Sequence, residues 1–138
     1  MATVFIDANI VLDFLDSARP RHTQAVQSLA TLAEQGYTPV VTEDLLTTIY
    51  YVAEHKIRIL EFFTYMLHNW VIVPFGLSIL EHTIADCRQD SSIDFEDRAQ
   101  GYAALRQNCH FLLTADKNFA APPGLSICGM QEILSASC

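Results

Sequence analysis

Short apolar runs alternate along the chain with longer stretches in which apolar residues recur every three or four positions. β-Branched and aromatic residues dominate the short runs, which is typical of buried strands. The predicted strands are residues 3–6, 38–41, 71–73, 111–113 and, at the sheet edge, 126–128. The predicted helices are residues 9–15, 22–35, 43–55, 59–67, 80–87, 94–106 and 130–134. Strands alternating with helices predict an α/β layer fold with a mainly parallel sheet.

Length and composition favour one folded domain over residues 1–138. Hydrophobic residues make up 51% of the chain and charged residues 17%, so a core can form and general disorder is excluded. The longest apolar runs, such as residues 70–75, are far shorter than the roughly 20 residues that span a bilayer. The N-terminus lacks a signal-peptide pattern. We therefore expect a cytoplasmic protein without a membrane partner.

The charge balance limits the ways in which this chain could bind nucleic acid. Sixteen acidic residues against eight basic ones give a net charge of −8. That charge argues against affinity from a wide basic surface, but not against a nuclease whose metal ions neutralise an acidic site. The histidines are scattered and no Cys-x-x-Cys pair occurs, so zinc chemistry is not expected.

Acidic residues follow the predicted strands or open the helix before one. They are Asp7, Glu43, Asp44, Asp94, Glu96, Asp97 and Asp116. The carboxyl ends of parallel strands meet at one edge of a sheet, so several carboxylates could converge there. Converging carboxylates repel one another unless a cation lies between them, and oxygen ligands favour Mg²⁺ or Mn²⁺. Such an ion can generate hydroxide for phosphodiester hydrolysis.

Each acid also has an ordinary structural explanation. Asp7 could cap the first helix, and Asp94 could be an N-cap with Asp97 at the third helical position. Asp116 could belong to a turn. Asp13 and Asp16 are expected to be solvated surface residues, and so is Glu96 if the apolar face of its helix is assigned correctly. The joint position of the acids at strand ends, rather than any single acid, indicates a site.

Four segments of the chain resemble the PIN domain family in order and spacing. They are VFIDANIVLD at 4–13, LTTIYYV at 46–52, DFED at 94–97 and LLTADKNF at 112–119. The resemblance implies a three-layer α/β/α sandwich and an Mg²⁺- or Mn²⁺-dependent ribonuclease. Small bacterial members of this family are often VapC-type toxins of toxin–antitoxin pairs and commonly dimerise, so the resemblance also implies an RNA substrate, an antitoxin partner and a homodimer.

The same resemblance implies roles for individual residues. The implied catalytic and metal-binding residues are Asp7, Asp94, Asp97 and Asp116. The implied supporting residues are Asn9, Glu43, Thr48, Thr114 and Asn118, with the Thr114 hydroxyl orienting its loop. Basic residues near these acids could bind RNA phosphates. They are Arg19, Arg21, Lys56, Arg58 and Lys117.

One position departs from the family pattern. PIN domains usually place a catalytic Glu directly before the Ile-Tyr-Tyr-Val stretch, where this chain and a similar subset of the family have a neutral residue, here Thr48. Glu43 is the nearest substitute. Five helical residues turn through about 500°, which leaves Glu43 roughly 140° from Thr48. Glu43 could still reach the site if it lies before the first helical turn.

Other functions fit the sequence less well. A PIN-fold module that binds RNA or a protein without cleaving is the main alternative, because the Glu is missing. A haloacid-dehalogenase-type phosphohydrolase would need Asp and Gly where Asn9 and Ile10 stand. A response-regulator receiver would need an Asp after the third strand, where Pro74 and Phe75 stand.

Overall fold

The computed structural model describes residues 1–135. The strands are β1 Ala2–Ile6, β2 Tyr37–Thr42, β3 Val71–Val73, β4 Leu112–Leu113 and β5 Ile127–Cys128. The helices are α1 Ala8–Leu15, α2 His22–Glu34, α3 Glu43–Val52, α4 Lys56–Asn69, α5 Gly76–Gln89, α6 Phe95–Arg106 and α7 Met130–Leu134. Within residues 1–135, no helix is both long enough and apolar enough to cross a bilayer.

The strands form one sheet in the order β3-β2-β1-β4-β5, and all of their pairings are parallel. Alternate residues of β1 enter different cores: Val4 and Ile6 pack on one face, and Phe5 packs on the other. The first face is covered by α1, α2, α3, α4 and α7, and the second by α5 and α6. This arrangement confirms the expected three-layer α/β/α sandwich.

The central strand β1 pairs with β2 on one side and with β4, which lies far along the chain, on the other. It lies between β2 and β4, with Phe5 opposite Val40 on one side and Ile6 opposite Leu113 on the other. The backbone N–H of Asp7 continues this pairing by donating to the Leu113 carbonyl over 3.0 Å. Residues that immediately follow β1, β2 and β4 therefore meet at one edge of the sheet.

The predicted helix 43–55 is too long at its C-terminal end. Helix α3 ends at Val52, and Ala53 has extended backbone angles. The Lys56 ammonium donates to the carbonyls of Tyr50 and Ala53, so it satisfies acceptors that are exposed where α3 ends. Helix α4 begins at Lys56, three residues before the apolar pattern becomes visible. No Gly or Pro marks this break in the sequence.

Candidate active site

A chain of hydrogen bonds joins the acids that follow β1 and β4. The Thr114 hydroxyl donates to Asp7 Oδ2 over 2.7 Å and accepts from the Asp116 backbone N–H over 3.0 Å. Asp116 Oδ1 in turn accepts from the Asn118 backbone N–H over 2.8 Å, which makes an Asx turn. The turn geometry considered for Asp116 is therefore present. It also holds that carboxylate beside Asp7.

Asp7 occupies the N-cap position of α1, but its side chain makes no capping hydrogen bond. Asp7 therefore lies at the N-cap without a capping hydrogen bond of standard geometry, although the first backbone N–H groups of α1 stabilise its charged form. Burial raises the pKa of Asp7, and the Asp116 charge raises it further. The Thr114 hydroxyl and the backbone N–H groups of Ala8 and Asn9 act in the opposite direction. Asp7 is thus a buried acid whose charged form is only partly stabilised by the protein.

The acids of α6 divide into a capping residue and a residue that faces the site. Asp94 is the N-cap of α6 and accepts a hydrogen bond from the Asp97 backbone N–H over 2.9 Å. The explanation of Asp94 as a helix cap is therefore confirmed. Asp97 Oδ2 accepts from the Ala120 backbone N–H over 3.4 Å. Burial raises the pKa of Asp97 to about 6, with further contributions from the charges of Asp94, Asp7 and Asp116. Three other acids therefore act electrostatically on Asp97.

The loop after β4 is fastened to α6 by a second contact. Arg98 Nε donates to the Ala120 carbonyl over 3.0 Å, so both polar backbone atoms of Ala120 bind α6 side chains. The Arg98 guanidinium is itself paired with Asp86 over 2.8 Å, and Asp86 also accepts from the Tyr102 hydroxyl. These bonds fix the separation between Asp97 and the loop that carries Asp116.

A cavity of about 580 Å³ opens at Asp116, the one site acid that lines it among residues 1–135. It is lined by Asn9, Arg19, Arg21, Ala115, Asp116, Lys117 and Asn118. The structure thus brings three of the five predicted RNA-binding cations to the site. Lys56 and Arg58 lie on α4 and do not line this cavity.

Arg19 is held at the cavity by a buried partner. Its Nε donates to Asp13 Oδ1 over 2.7 Å, and the Asp13 side chain is only 4% exposed. The expectation that Asp13 is solvated is therefore wrong, whereas Asp16 and Glu96 are exposed as expected. An acid on the inner face of a short, strongly apolar helix could have been recognised as one that needs a cationic partner.

The region around Thr48 differs from the pattern that the resemblance implied. Thr48 and Glu43 are both exposed on α3. Asp44 is more buried, and its Oδ1 has no hydrogen-bond partner among residues 1–135. Glu43 was the expected substitute acid, whereas the four-residue spacing from Thr48 puts Asp44, and not Glu43, on the same side of α3 as Thr48.

The donor set suits a hard divalent cation, but it does not enclose one. Within residues 1–135, no three His, Cys, Asp or Glu side chains are close enough to hold a metal ion together. Mg²⁺ commonly uses only one or two protein carboxylates and keeps several waters. The carboxylates of Asp7, Asp97 and Asp116 have the oxygen chemistry for such an open site. Burial is the first cause of the raised pKa of Asp7 and of Asp97, and the charges of neighbouring acids raise both pKa values further, so a bound cation would relieve this repulsion.

Solved structures with the same fold include toxin–antitoxin proteins. A VapBC2 complex from Rickettsia felis, bound to a promoter DNA fragment, matches with a TM-score of 0.70 and 16% identity, covering 92% of this chain and 98% of that one. VapC20 of Mycobacterium tuberculosis, a Sarcin-Ricin loop cleaving toxin, matches with a TM-score of 0.68 and 11% identity. The match covers 84% of this chain and 92% of that one. A toxin–antitoxin complex from Klebsiella pneumoniae matches with a TM-score of 0.66 and 21% identity, covering 92% of this chain and 97% of that one.

Sequence similarity defines the family more closely. Ribonuclease VapC1 of Aquifex aeolicus (strain VF5) is 31% identical over 122 residues, which cover 86% of this chain and 85% of that protein. The sequence profile described as "PIN domain" matches residues 3–118, from β1 to the loop after β4. That range includes every acid of the candidate site. The chain therefore belongs to the PIN domain family.

Proposed function

We propose that this protein is a metal-dependent endoribonuclease that hydrolyses RNA phosphodiester bonds and is the toxin of a type II toxin–antitoxin pair. The observation that carries the proposal is that Asp7, Asp97 and Asp116 act electrostatically on one another, while Asp116 also lines a cavity with Arg19, Arg21 and Lys117. Similarity to a ribonuclease of the VapC type supports the reaction. The fold shared with toxin–antitoxin complexes supports the antitoxin partner.

Three carboxylates would hold Mg²⁺ or Mn²⁺, directly or through water: Asp7, Asp97 and Asp116. The bound ion would supply an activated water and neutralise charge on the leaving oxygen. The Thr114 hydroxyl orients the Asp7 carboxylate and holds the backbone of Asp116. Asp94 acts mainly as the cap that fixes the first turn of α6, where it adds negative charge next to Asp97.

The cationic cavity would bind the RNA backbone next to the scissile bond. Arg19, Arg21 and Lys117 present positive charge on one side of Asp116, and the Asn9 and Asn118 amides line the same space. Phosphate contacts of this kind position a nucleic acid without reading its sequence. Lys56 is already used by carbonyls at the end of α3, so we assign neither it nor Arg58 a contact with the scissile region.

A homodimer would cover the apolar surface of α3 and α4. Tyr51 is 87% exposed and Ile57 is 75% exposed, and other large apolar side chains of these helices are also exposed. Contiguous exposed apolar surface of this kind favours a protein–protein contact. Light scattering after gel filtration would detect the dimer, and Ile57→Glu should convert it to a monomer. We place the protein in the cytoplasm, with its RNA substrates.

A non-cleaving PIN module that binds RNA or a protein is the alternative. The neutral, exposed Thr48 at the position of the usual Glu favours it. The absence of a ready three-ligand metal cluster within the described residues points the same way. On this alternative the cationic cavity would still bind RNA, but added Mn²⁺ would produce no cleavage.

The deciding experiment is cleavage of a panel of structured and single-stranded RNAs with Mg²⁺ or Mn²⁺. Wild type is compared with Asp97→Asn, with an EDTA control, and with Glu81→Gln, which changes an exposed acid on α5. The proposal expects metal-dependent cleavage that Asp97→Asn abolishes and Glu81→Gln leaves intact. Cleavage that survives Asp97→Asn would contradict the assigned site. RNA binding without cleavage would favour the alternative.

A further inference from the structure

Helix α1 contains a buried carboxylate that the proposed reaction does not use. Asp13 is 3% exposed, and the other polar residue of this helix, Asn9, lies four positions before it and lines the cavity. The remaining six residues of α1 are apolar. Asp13 Oδ2 is buried and has no hydrogen-bond partner among residues 1–135. A buried carboxylate with one unpaired oxygen costs stability, so folding alone does not explain an acid at this position.

The second oxygen of Asp13 holds a single atom of the Arg19 guanidinium. Asp13 Oδ1 accepts from Arg19 Nε over 2.7 Å. Among the residues that the structure describes, this is the one hydrogen bond of that guanidinium, so both of its Nη groups remain free to donate. A guanidinium binds phosphate in a bidentate manner, through two parallel N–H groups. Asp13 therefore fixes the guanidinium by its inner nitrogen and leaves the outer donors for an anion in the cavity that Arg19 lines.

The loop that carries Arg19 is also fastened to α1 through its backbone. The Arg19 N–H donates to the Asp16 carbonyl over 3.1 Å, and the Ala18 N–H donates to Asp16 Oδ1 over 2.9 Å. On the other side of the loop, the His22 ring donates from Nδ1 to the Asp13 carbonyl over 2.9 Å. Arg19 thus extends from a fixed backbone and is held again at Nε. A side chain that is ordered before binding loses less entropy when the ligand arrives.

Helix preferences do not explain why cations are placed at the start of α2. Arg21 is the N-cap of this helix, its side chain makes no capping hydrogen bond, and the first turn contains no acid. The N-terminal end of a helix carries partial positive charge, which disfavours a cation there. Arg19, Arg21 and Lys117 nevertheless line one cavity. An anion in that cavity would relieve the repulsion among these three cations.

We propose that Asp13 is a positioning residue for RNA binding, which acts through Arg19 by directing the Nη groups towards a backbone phosphate in the cavity. This inference rests on the proposed function, which supplies RNA as the anion. The sign of the effect separates positioning from simple electrostatics. A carboxylate near RNA repels the phosphates, whereas a carboxylate that orients a cation strengthens binding. Removal of Asp13 should therefore weaken RNA binding, although it makes the protein less negative.

Binding of single-stranded RNA in EDTA tests the inference in the absence of cleavage. Fluorescence anisotropy with a labelled oligonucleotide of mixed sequence would compare wild type with Asp13→Leu, Arg19→Ala and the double variant. Asp13→Leu should bind about tenfold more weakly, the change expected when one charge-assisted hydrogen bond is lost. The double variant should bind no more weakly than Arg19→Ala, because Asp13 has no effect once Arg19 is absent. Glu81→Gln also removes one negative charge, at an exposed position of α5, and should stay within about twofold of wild type.

Urea unfolding supplies a result that a purely structural role of Asp13 would not give. Leu suits the apolar surroundings of position 13, and the Arg19 side chain, which is 37% exposed, can turn into solvent. Asp13→Leu should therefore keep or raise the urea midpoint while it loses RNA affinity. Arg19→Ala should lower the midpoint, because it leaves the Asp13 charge buried and unpaired, and the double variant should regain it. Arg19→Gln, whose amide can still donate to Asp13, replaces Arg19→Ala if that variant does not fold.

The outcomes separate this inference from the proposed function. If Asp13→Leu binds RNA as tightly as wild type or more tightly, or if its loss adds in full to that of Arg19→Ala, the inference is wrong and the nuclease proposal is still judged by its cleavage assay. If wild type binds no RNA in EDTA, the inference is also wrong. If the expected binding pattern occurs but neither Mg²⁺ nor Mn²⁺ produces cleavage, the inference holds and the non-cleaving alternative replaces the nuclease. Circular dichroism checks that each variant is folded.

Discussion

The Thr114 hydroxyl lies 2.7 Å from Asp7 Oδ2, although the two residues are 107 positions apart in the sequence. Both side chains are buried, and the same hydroxyl accepts from the backbone N–H of Asp116. A single oxygen atom thus links the acid that follows β1 to the acid that follows β4. The parallel pairing of these strands brings the residues together, and the hydroxyl fixes the orientation of the Asp7 carboxylate and the position of the Asp116 backbone.

Replacing Thr114 with Val should reduce both stability and activity. The change keeps the shape of the side chain but leaves Asp7 Oδ2 and the Asp116 N–H without their partner, which costs about 1–3 kcal/mol of unfolding free energy. Displacement of the two carboxylates should lower single-turnover cleavage by roughly 100-fold. Urea unfolding and a single-turnover assay measure the two effects. Thr114→Ser keeps the hydroxyl and is the control; equal losses in both variants would show that the hydroxyl has no special role.

Asp97→Asn should stabilise the metal-free protein at neutral pH. The pKa of Asp97 is raised from 3.8 to about 6, so folding disfavours its charged form. The group's contribution to stability is therefore most favourable below pH 3.8 and is lost as the pH rises towards 6. Allowing for solvent screening of a partly exposed group, the variant should gain about 1 kcal/mol at pH 7.5 and nearly nothing at pH 4.

Thermal unfolding of the metal-free protein at both pH values measures this difference. Addition of Mn²⁺ should make wild type more stable than Asp97→Asn at pH 7.5, because only wild type retains the carboxylate that would bind the cation. If Asp97→Asn is more stable than wild type by the same amount at pH 4 and at pH 7.5, the charge of Asp97 is not the cause of the difference. Glu81→Gln, which neutralises an exposed acid on α5, controls for the change in net charge.

The fold could be predicted from the sequence because its signals are local. Buried β-branched runs give the strands, and their alternation with amphipathic helices gives a parallel sheet whose carboxyl edge collects Asp7 and Asp116. The end of α3 could not be predicted, because a Lys56 side chain rather than a Gly or Pro ends it. Asp13 pairs with Arg19 because the Asp13 side chain is buried. The separation of six residues in the sequence does not by itself predict this pair.

The sequence places the acids of the candidate site at one edge of the sheet, but the contacts that each acid makes depend on the tertiary structure. The sequence places Asp94 and Asp97 at one helix start, whereas the structure makes Asp94 the cap and turns Asp97 towards Ala120. The exposed Glu43 and the partly buried Asp44 are adjacent acids whose difference becomes clear only from the helix orientation. A rule based on motif spacing cannot distinguish these residues, because it does not specify which face of α3 packs against the sheet.

Gly101→Ala should destabilise the protein and loosen the loop that carries Asp116. A Cβ atom at position 101 would lie 2.2 Å from Pro122 Cδ and 3.0 Å from its Cγ, so α6 and the loop would have to move apart. Overpacking of this kind costs about 1–3 kcal/mol, more than any gain in helix propensity. Urea unfolding measures the loss. Ala99→Gly, at another buried position of α6, should cost about 1 kcal/mol by helix propensity in addition to the loss of its buried methyl group. An unchanged free energy of unfolding for Gly101→Ala would contradict the packing argument.

Arg19→Ala should weaken RNA binding more than it slows the chemical step. The Arg19 guanidinium is fixed by Asp13 through Nε and lines the cavity beside Asp116, so we expect it to hold a backbone phosphate near the scissile bond. Its loss should raise KM about tenfold with little change in kcat. It should also reduce the slope of log affinity against log salt by about 0.7 for single-stranded RNA. Arg58→Ala, an exposed cation on α4 outside the cavity, is the matched control for net charge. Equal changes in KM for the two variants would mean that RNA responds to overall charge, and the cavity would then have no particular role in positioning the substrate.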